Sequence, residues 1–306
     1  MHLEDVRLPP SAWTELSARH ADRADRLTAA HRSRATRGEK HAVEDFLFTY
    51  YNTRPSLLRR WHPGPGVVLA STDDGPAPHA GWRWYRTEPD GHVSLDVAAF
   101  LAERGDTVRF IHRLLTATAA RPAFTGCFGL HEWAMAYRHD EHRHPLPLRL
   151  GQSGTDAVVE RHQIRCTHFD AFRFFTPAAA PLNRLQPTRE SQPDMEQPGC
   201  LHASMDCHKW AMKLGPALPG DLALDCFELA REVRTLDMQA SPYDLSSYGL
   251  RPVRIETPGG KATYVERQRA LTDRAVELRE RLIEACSALL RSEAGPVQQR
   301  VRHRSP

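Results

Sequence analysis

Three stretches of the chain concentrate side chains that can do chemistry. The first is GCFGLHEWAMAYR, Gly126 to Arg138. Read as a helix, it puts Trp133 and Tyr137 on one face at i and i+4, with Glu132 beside that face and His131 pointing elsewhere with Met135. Two π faces next to one carboxylate suit a flat, electron-poor or cationic ring. The same residues also describe a core helix, its aromatics used in packing and His131-Glu132 at a solvated start. The second stretch is CTHFDAFRFFTP, Cys166 to Pro177. As a strand it lines up His168, Asp170, Phe172 and Phe174. As a helix capped by Thr167 it stacks Asp170 and Phe174. Either way Asp170 sits among rings, and a desolvated carboxylate has a raised pKa that suits acid–base work near neutrality. An ion pair with Arg173 or Arg165 is the structural alternative.

The third stretch, GCLHASMDCHKWAMK, places His202 and Asp206 one helical turn apart. One helix later Glu228 and Glu232 repeat that spacing, with Asp225 and Asp237 nearby. Such pairs on facing helices suit a bundle-type iron site, although those sites usually add Glu-x-x-His pairs. The Glu141 to His144 spacing falls in a Pro-bounded loop instead. Glu228 and Glu232 are equally suited to surface pairing with Arg231 and Arg234.

Several common chemistries lose their usual support. Gly-x-Gly-x-x-Gly, the P-loop string, His-Glu-x-x-His and Gly-x-Ser-x-Gly are all absent; Gly151-Gln-Ser-Gly154 comes nearest and lacks the spacing. The six cysteines form no Cys-x-x-Cys pair, so they read as small buried hydrophobes in a reducing cytoplasm. The formal charge of +3 spread over 306 residues is weak support for a polyanionic partner. No apolar run is long enough to span a membrane, and MHLEDVRLPPSAW has no signal core.

The elements that must position these residues read as mainly α, a helical bundle-like domain with a small β-hairpin. Residues 1–40 form a basic N-terminal helix, Ser11 to Thr36, after Pro9-Pro10. Residues 41–292 form the main helical domain, and 293–306 a disordered basic tail. HAVEDFLFTYYN is apolar around much of its circumference and reads as a buried helix. Val67 to Ala70 and Gly81 to Arg86 read as the hairpin. Ser94 and Asp106 suit the N-caps of two helices, Leu95–Glu103 and Thr107–Ala119. Gly129 to Arg138 reads as helix and Ala157 to Cys166 as strand. A Pro-rich loop over 176–198 follows. Three helices come last: Cys200–Leu214, Leu222–Ala240 and Ala262–Arg291.

The strings RGEKHAVEDFLFTYY, LRRWHPGPGVVL, GCFGLHEWAMAYR, RCTHFDAFRFFTP, QPGCLHASMD and CFELAREVRTLDMQASPYDL resemble an actinobacterial family. Its members are commonly labelled 3-methyladenine DNA glycosylase. The resemblance runs from about Arg37 to Leu289. It implies hydrolysis of the N-glycosidic bond of alkylated purines in DNA, without a cofactor. The chain lacks the helix-hairpin-helix signature and the other known glycosylase patterns, so no catalytic residue carries over from those enzymes. A flipped cationic base needs stacking rings and a carboxylate. Trp133, Tyr137 and Phe172 are the candidates to stack. Glu132 or Asp170 is the candidate carboxylate, with His168 as helper. Arg189, with Arg34 and Arg37, would meet phosphates. Two other readings stand beside it: a helical iron-dependent oxygenase or oxidoreductase using His202, Asp206, Glu228 and Glu232, and a non-catalytic protein that binds an aromatic ligand.

Overall fold

The computed structural model describes residues 6–294, so the expected disordered tail lies outside the described residues from position 295 onward. In chain order come β1 (Val6–Leu8), α1 (Pro10–Thr36), α2 (Phe46–Thr49), α3 (Pro55–Leu58), β2 (Val67–Leu69), β3 (Tyr85–Thr87) and β4 (Val93–Leu95). Then follow α4 (Val97–Ala119), α5 (Leu130–Ala134), α6 (Gly151–Arg161), α7 (Phe169–Phe172), α8 (Gln192–Met195), α9 (Leu201–Leu214), α10 (Gly220–Gln239) and α11 (Pro258–Ala294). The chain is mainly α with a small sheet, as its patterning predicts.

Proline opens α1, where its fixed φ fits and its missing N–H costs nothing. The side chain of Asp96 caps α4 by accepting from the Ala99 N–H at 2.9 Å. This one helix replaces the two expected around Ser94 and Asp106. Gly105 lies buried inside it, and an interior glycine costs only about 1 kcal/mol when packing carries the helix through. The hairpin is also displaced. β3 pairs antiparallel with β4, Tyr85 opposite Leu95, whereas β2 pairs with the other edge of β4, Val68 opposite Ser94. β1 then adds in parallel beside β2. Trp13, Trp61, Leu69, Ala77 and Val93 form the small core under this sheet. The first half of the strand expected at Ala157 to Cys166 is the end of helix α6, with Val158 and Val159 buried, and the second half is irregular apart from an isolated bridge between Ile164 and Asn183. Only a single turn, α2, forms within HAVEDFLFTYYN, yet Phe46, Leu47 and Phe48 are all buried.

The main core forms where α9 and α10 pack as a helical hairpin, with α11 laid across both and along α4. α9 is buried on nearly every side. That is expected of a central helix, except that its sequence carries His202, Asp206, His208 and Lys209. Among the described residues, no helix is long and apolar enough to cross a membrane.

α5 meets the end of α10 through Gly129, which sits at φ +71° just before the helix. A Cβ there would stand 3.2 Å from the Ala240 Cβ. Gly249 has a similar φ of +69° with open space around it. Both Gly→Ala variants carry the left-handed strain of about 1–2 kcal/mol. The Gly129→Ala variant is expected to lose more, read as a larger drop in urea midpoint than Gly249→Ala gives. Equal drops would mean that the approach of α5 to α10 is not tight.

Candidate metal centre

The polar side chains inside this core form one connected system. His202 and Asp206 lie one turn apart on α9, and each faces a different group of neighbours. On the first side, His131 from α5 and Asp237 from α10 join His202. His131 Nε2 stands 2.7 Å from Asp237 Oδ1, and the His131 and His202 rings meet edge to face at 4.5 Å. On the second side, His168, just before α7, and Glu196, just after α8, join Asp206. His168 Nε2 is 3.2 Å from Glu196 Oε1 and 3.4 Å from Asp206 Oδ2. The His168 and His202 rings lie 5.3 Å apart, tilted by 34°, so the two groups adjoin. In each group the three ligand-type atoms lie within 4.8 Å of one another, and all six residues are buried.

Cations and donors brace both groups. Arg234, wholly buried on α10, donates through Nη1 to Glu132 Oε1 at 2.7 Å and to Asp237 Oδ2 at 2.8 Å. Its Nη2 donates to His144 Nε2 at 3.1 Å, and its guanidinium lies 4.0 Å from the Phe46 ring centre. Burial lowers the pKa of His144 to about 4, which leaves that nitrogen free to accept. Lys209 Nζ donates to Asp206 Oδ2 at 3.0 Å and to Asp170 Oδ2 at 2.7 Å. Tyr51 donates its hydroxyl to Asp206 Oδ1 at 2.7 Å, and Gln192 Nε2 donates to Glu196 Oε1 at 2.6 Å.

The electrostatics follow from burial set against these neighbours. Burial disfavours a charged His131, but Asp237 outweighs it and holds the imidazole pKa well above its usual value. His168 behaves alike: burial opposes its charge, and Glu196 and Asp206 overcome the opposition. For His202 the help from Asp237 is outweighed. Burial and the neighbouring His131 push its pKa far down, and its Nδ1 is buried without a hydrogen-bond partner. Burial would raise Asp206 and Asp237, yet Lys209 and His131 respectively hold them low. Glu196 is pushed up by burial, with Asp206 adding to the push.

The sequence-predicted residues divide between this network and the rest of the molecule. Glu132, His168 and Asp170 belong to it, as do His202 and Asp206. Asp170 departs from its expected chemistry: burial among rings would raise its pKa, but Lys209 holds it down, and Arg173 donates to it at 3.0 Å. The structural ion pair is what forms. Trp133 is fully buried in the core, its indole N–H donating to the Ala240 carbonyl at 2.8 Å. Tyr137 donates to Glu160 at 3.1 Å, and Phe172 packs on Phe175. Arg189 lies over the Phe169 ring on the surface. Arg34 pairs with Glu44 and Asp45, and Arg37 with Glu39. Glu228 and Glu232 correct the expected iron site. Their side chains are 38% and 52% exposed and pair with Arg23 and Arg274. The face of α10 that turns inward carries Arg234 and Asp237 instead.

Glu196 escaped the sequence reading because it stands beside Pro198 and Gly199 in an irregular stretch, where no periodicity marks an inward face. His131, read as pointing away from the aromatic face or standing at a solvated start, is buried against Asp237. α5 is a single short helix entered from left-handed Phe128 and Gly129, so its phase is set by that entrance. A small cavity of about 10 Å³, room for about one water, is lined by Cys127, His131, Cys166, Cys200, Tyr264 and Gln268. A roomier apolar cavity of about 260 Å³ lies elsewhere, between Leu57, His62, Trp82, Trp84, Met212 and Pro216, and no member of the network lines it.

Arg234 is the stability keystone of this arrangement. Removing one partner of a buried ion pair typically costs about 3–5 kcal/mol, because the charges left behind stay buried. Arg234→Met is therefore expected to lower the unfolding free energy by about that much in urea titration, and Glu132→Gln by less. An Arg234→Met variant as stable as the parent would show that Glu132 and Asp237 need no counter-charge. A scan against protein-family models and searches of curated proteins and solved structures gave no match.

Proposed function

We propose that the protein is a metal-dependent oxidoreductase of the helical kind, with one first-row transition ion, iron or manganese, held by His168, Glu196 and Asp206. The observation that carries this reading is the geometry at His168. Both ring nitrogens are buried without a hydrogen-bond partner, although two carboxylate oxygens stand 3.2 and 3.4 Å from Nε2. Imidazole and carboxylate ligands sit about 2.0–2.2 Å from such an ion. Neighbouring ligands around it are then about 3.0–3.5 Å apart, the spacing found here. Imidazole with carboxylates also matches the ligand preference of iron, manganese and zinc.

The surrounding residues act as outer partners. Gln192 fixes the orientation of Glu196, and Lys209 and Tyr51 fix that of Asp206. Tyr51 adds a phenol at the edge of the ligand set. Burial and the adjacent Asp206 keep its phenol protonated, so it holds a proton and an oxidisable ring at the edge of the ligand set. The ion would supply one-electron exchange and polarisation of a bound oxygen. The small cavity beside His131 has room for about one water.

The glycosylase activity implied by the resemblance asks for different features: rings open to a flipped base, and a carboxylate free to face the sugar. Trp133 is sealed in the core, and Glu132 and Asp170 are engaged by Arg234 and Lys209. The geometry favours the metal reading.

Protein purified without chelator, or loaded anaerobically with Fe(II) or Mn(II), is expected to retain at least one ion per chain by elemental analysis. A His168→Ala variant with retained helicity is expected to lose that ion. Substoichiometric metal in the loaded parent, or release of free base from methylated DNA that persists under chelator, would overturn the assignment.

A further inference from the structure

We propose that His131, His202 and Asp237 hold a second divalent transition ion, so that the centre is dinuclear. The inference rests on the metal reading of the His168 group and extends it to a site of its own. Its first support is His202. This imidazole is buried, its Nδ1 has no hydrogen-bond partner, and it offers a nitrogen within 4.8 Å of ligand atoms on His131 and Asp237. An imidazole placed this way forgoes hydrogen bonds that a metal ion would replace with a bond.

The second support is the construction of α9. His202 serves one group and Asp206 the other, and four residues of helix rise about 6 Å. The tilted rings of His168 and His202 adjoin at 5.3 Å, so the two positions are neighbours within one polar volume. The outer partners match as well. Arg234 bonds the second oxygen of Asp237, and Cys127 Sγ lies 3.7 Å from the Nδ1 of His131, which leaves Nε2 as the ligand atom.

The test is metal stoichiometry on the full chain loaded anaerobically with Mn(II), read by elemental analysis and by electron paramagnetic resonance. Two ions per chain are expected, with a spectrum broadened by the neighbouring spin instead of isolated six-line signals. His202→Leu removes a ligand without removing a hydrogen bond at Nδ1, so it should stay folded. It is expected to halve the metal content and sharpen the spectrum to one isolated ion. His168→Ala should also leave one ion. One ion per parent chain, unchanged by His202→Leu, would overturn the second site and leave the His168 site standing. Less than one ion per chain would overturn both.

Discussion

Burying several ionised side chains inside a helical core is the constraint on which the rest of this structure turns. Each carboxylate taken from water costs several kcal/mol unless a cation or donor meets it. The fold answers that cost locally. Arg234 joins Glu132 to Asp237, Lys209 joins Asp206 to Asp170, and imidazoles fill the space between. An apolar core of the same volume would be as stable or more so, so packing alone does not account for this network. Five acids and three imidazoles gathered at the centre are what the metal reading proposed above would require.

The elements divide the work of holding them. α9 and α10 are long, regular and packed face to face, and they supply His202, Asp206, Lys209, Arg234 and Asp237 from rigid positions. The other members come from short or irregular segments: His131 from a five-residue helix, His168 from the residue before α7, Glu196 from the end of α8. Those segments are pinned from outside. Gln197 accepts from the N–H of Phe124 at 2.7 Å, and Gln268 of α11 donates to the carbonyl of Gly199 at 2.6 Å. Gly199 itself leaves no room for a side chain, since a Cβ would meet the Phe124 carbonyl oxygen at 2.8 Å. The loop over 176–198 is thus the arm that delivers Glu196 to α9, which explains how a long Pro-rich connection can be well packed at its end.

This division also sets what the sequence could reveal. The i, i+4 pair His202 and Asp206 stood out because it lies on a long helix, where spacing fixes direction. Asp237 was noticed only as a neighbour, and its face was misjudged in favour of Glu228 and Glu232. All three sit on α10, and pattern alone did not separate an acid that meets Arg234 inside from acids that meet Arg23 and Arg274 outside. In the first stretch the aromatics drew attention to Trp133 and Tyr137, which serve packing, while His131, two positions before Trp133, faces the network. A helix of five residues has no reliable phase from periodicity. Two positive-φ residues before it, Phe128 and Gly129, rotate its faces, and no propensity argument foretells that rotation. The mainly α class and the three C-terminal helices were legible because they depend on many residues at once.

The shape of the interior bounds the chemistry further. The network is enclosed, and the space beside His131 holds about one water, so a large substrate could not touch the ligand atoms in this conformation. The roomier apolar cavity lies further along α9, where Ala211 and Met212 form part of its wall. Five residues of helix separate Asp206 from Ala211, about 7–8 Å along the axis. A molecule seated in that cavity would be out of bonding reach of the centre but close to it through one rigid helix. Under the metal reading proposed above, only a very small molecule would reach the buried acids and histidines, and an organic molecule in the apolar cavity would stay apart from them. Direct attack on a bulky substrate would first require the helices around α9 to separate, and Arg234 and Lys209 are placed to resist that.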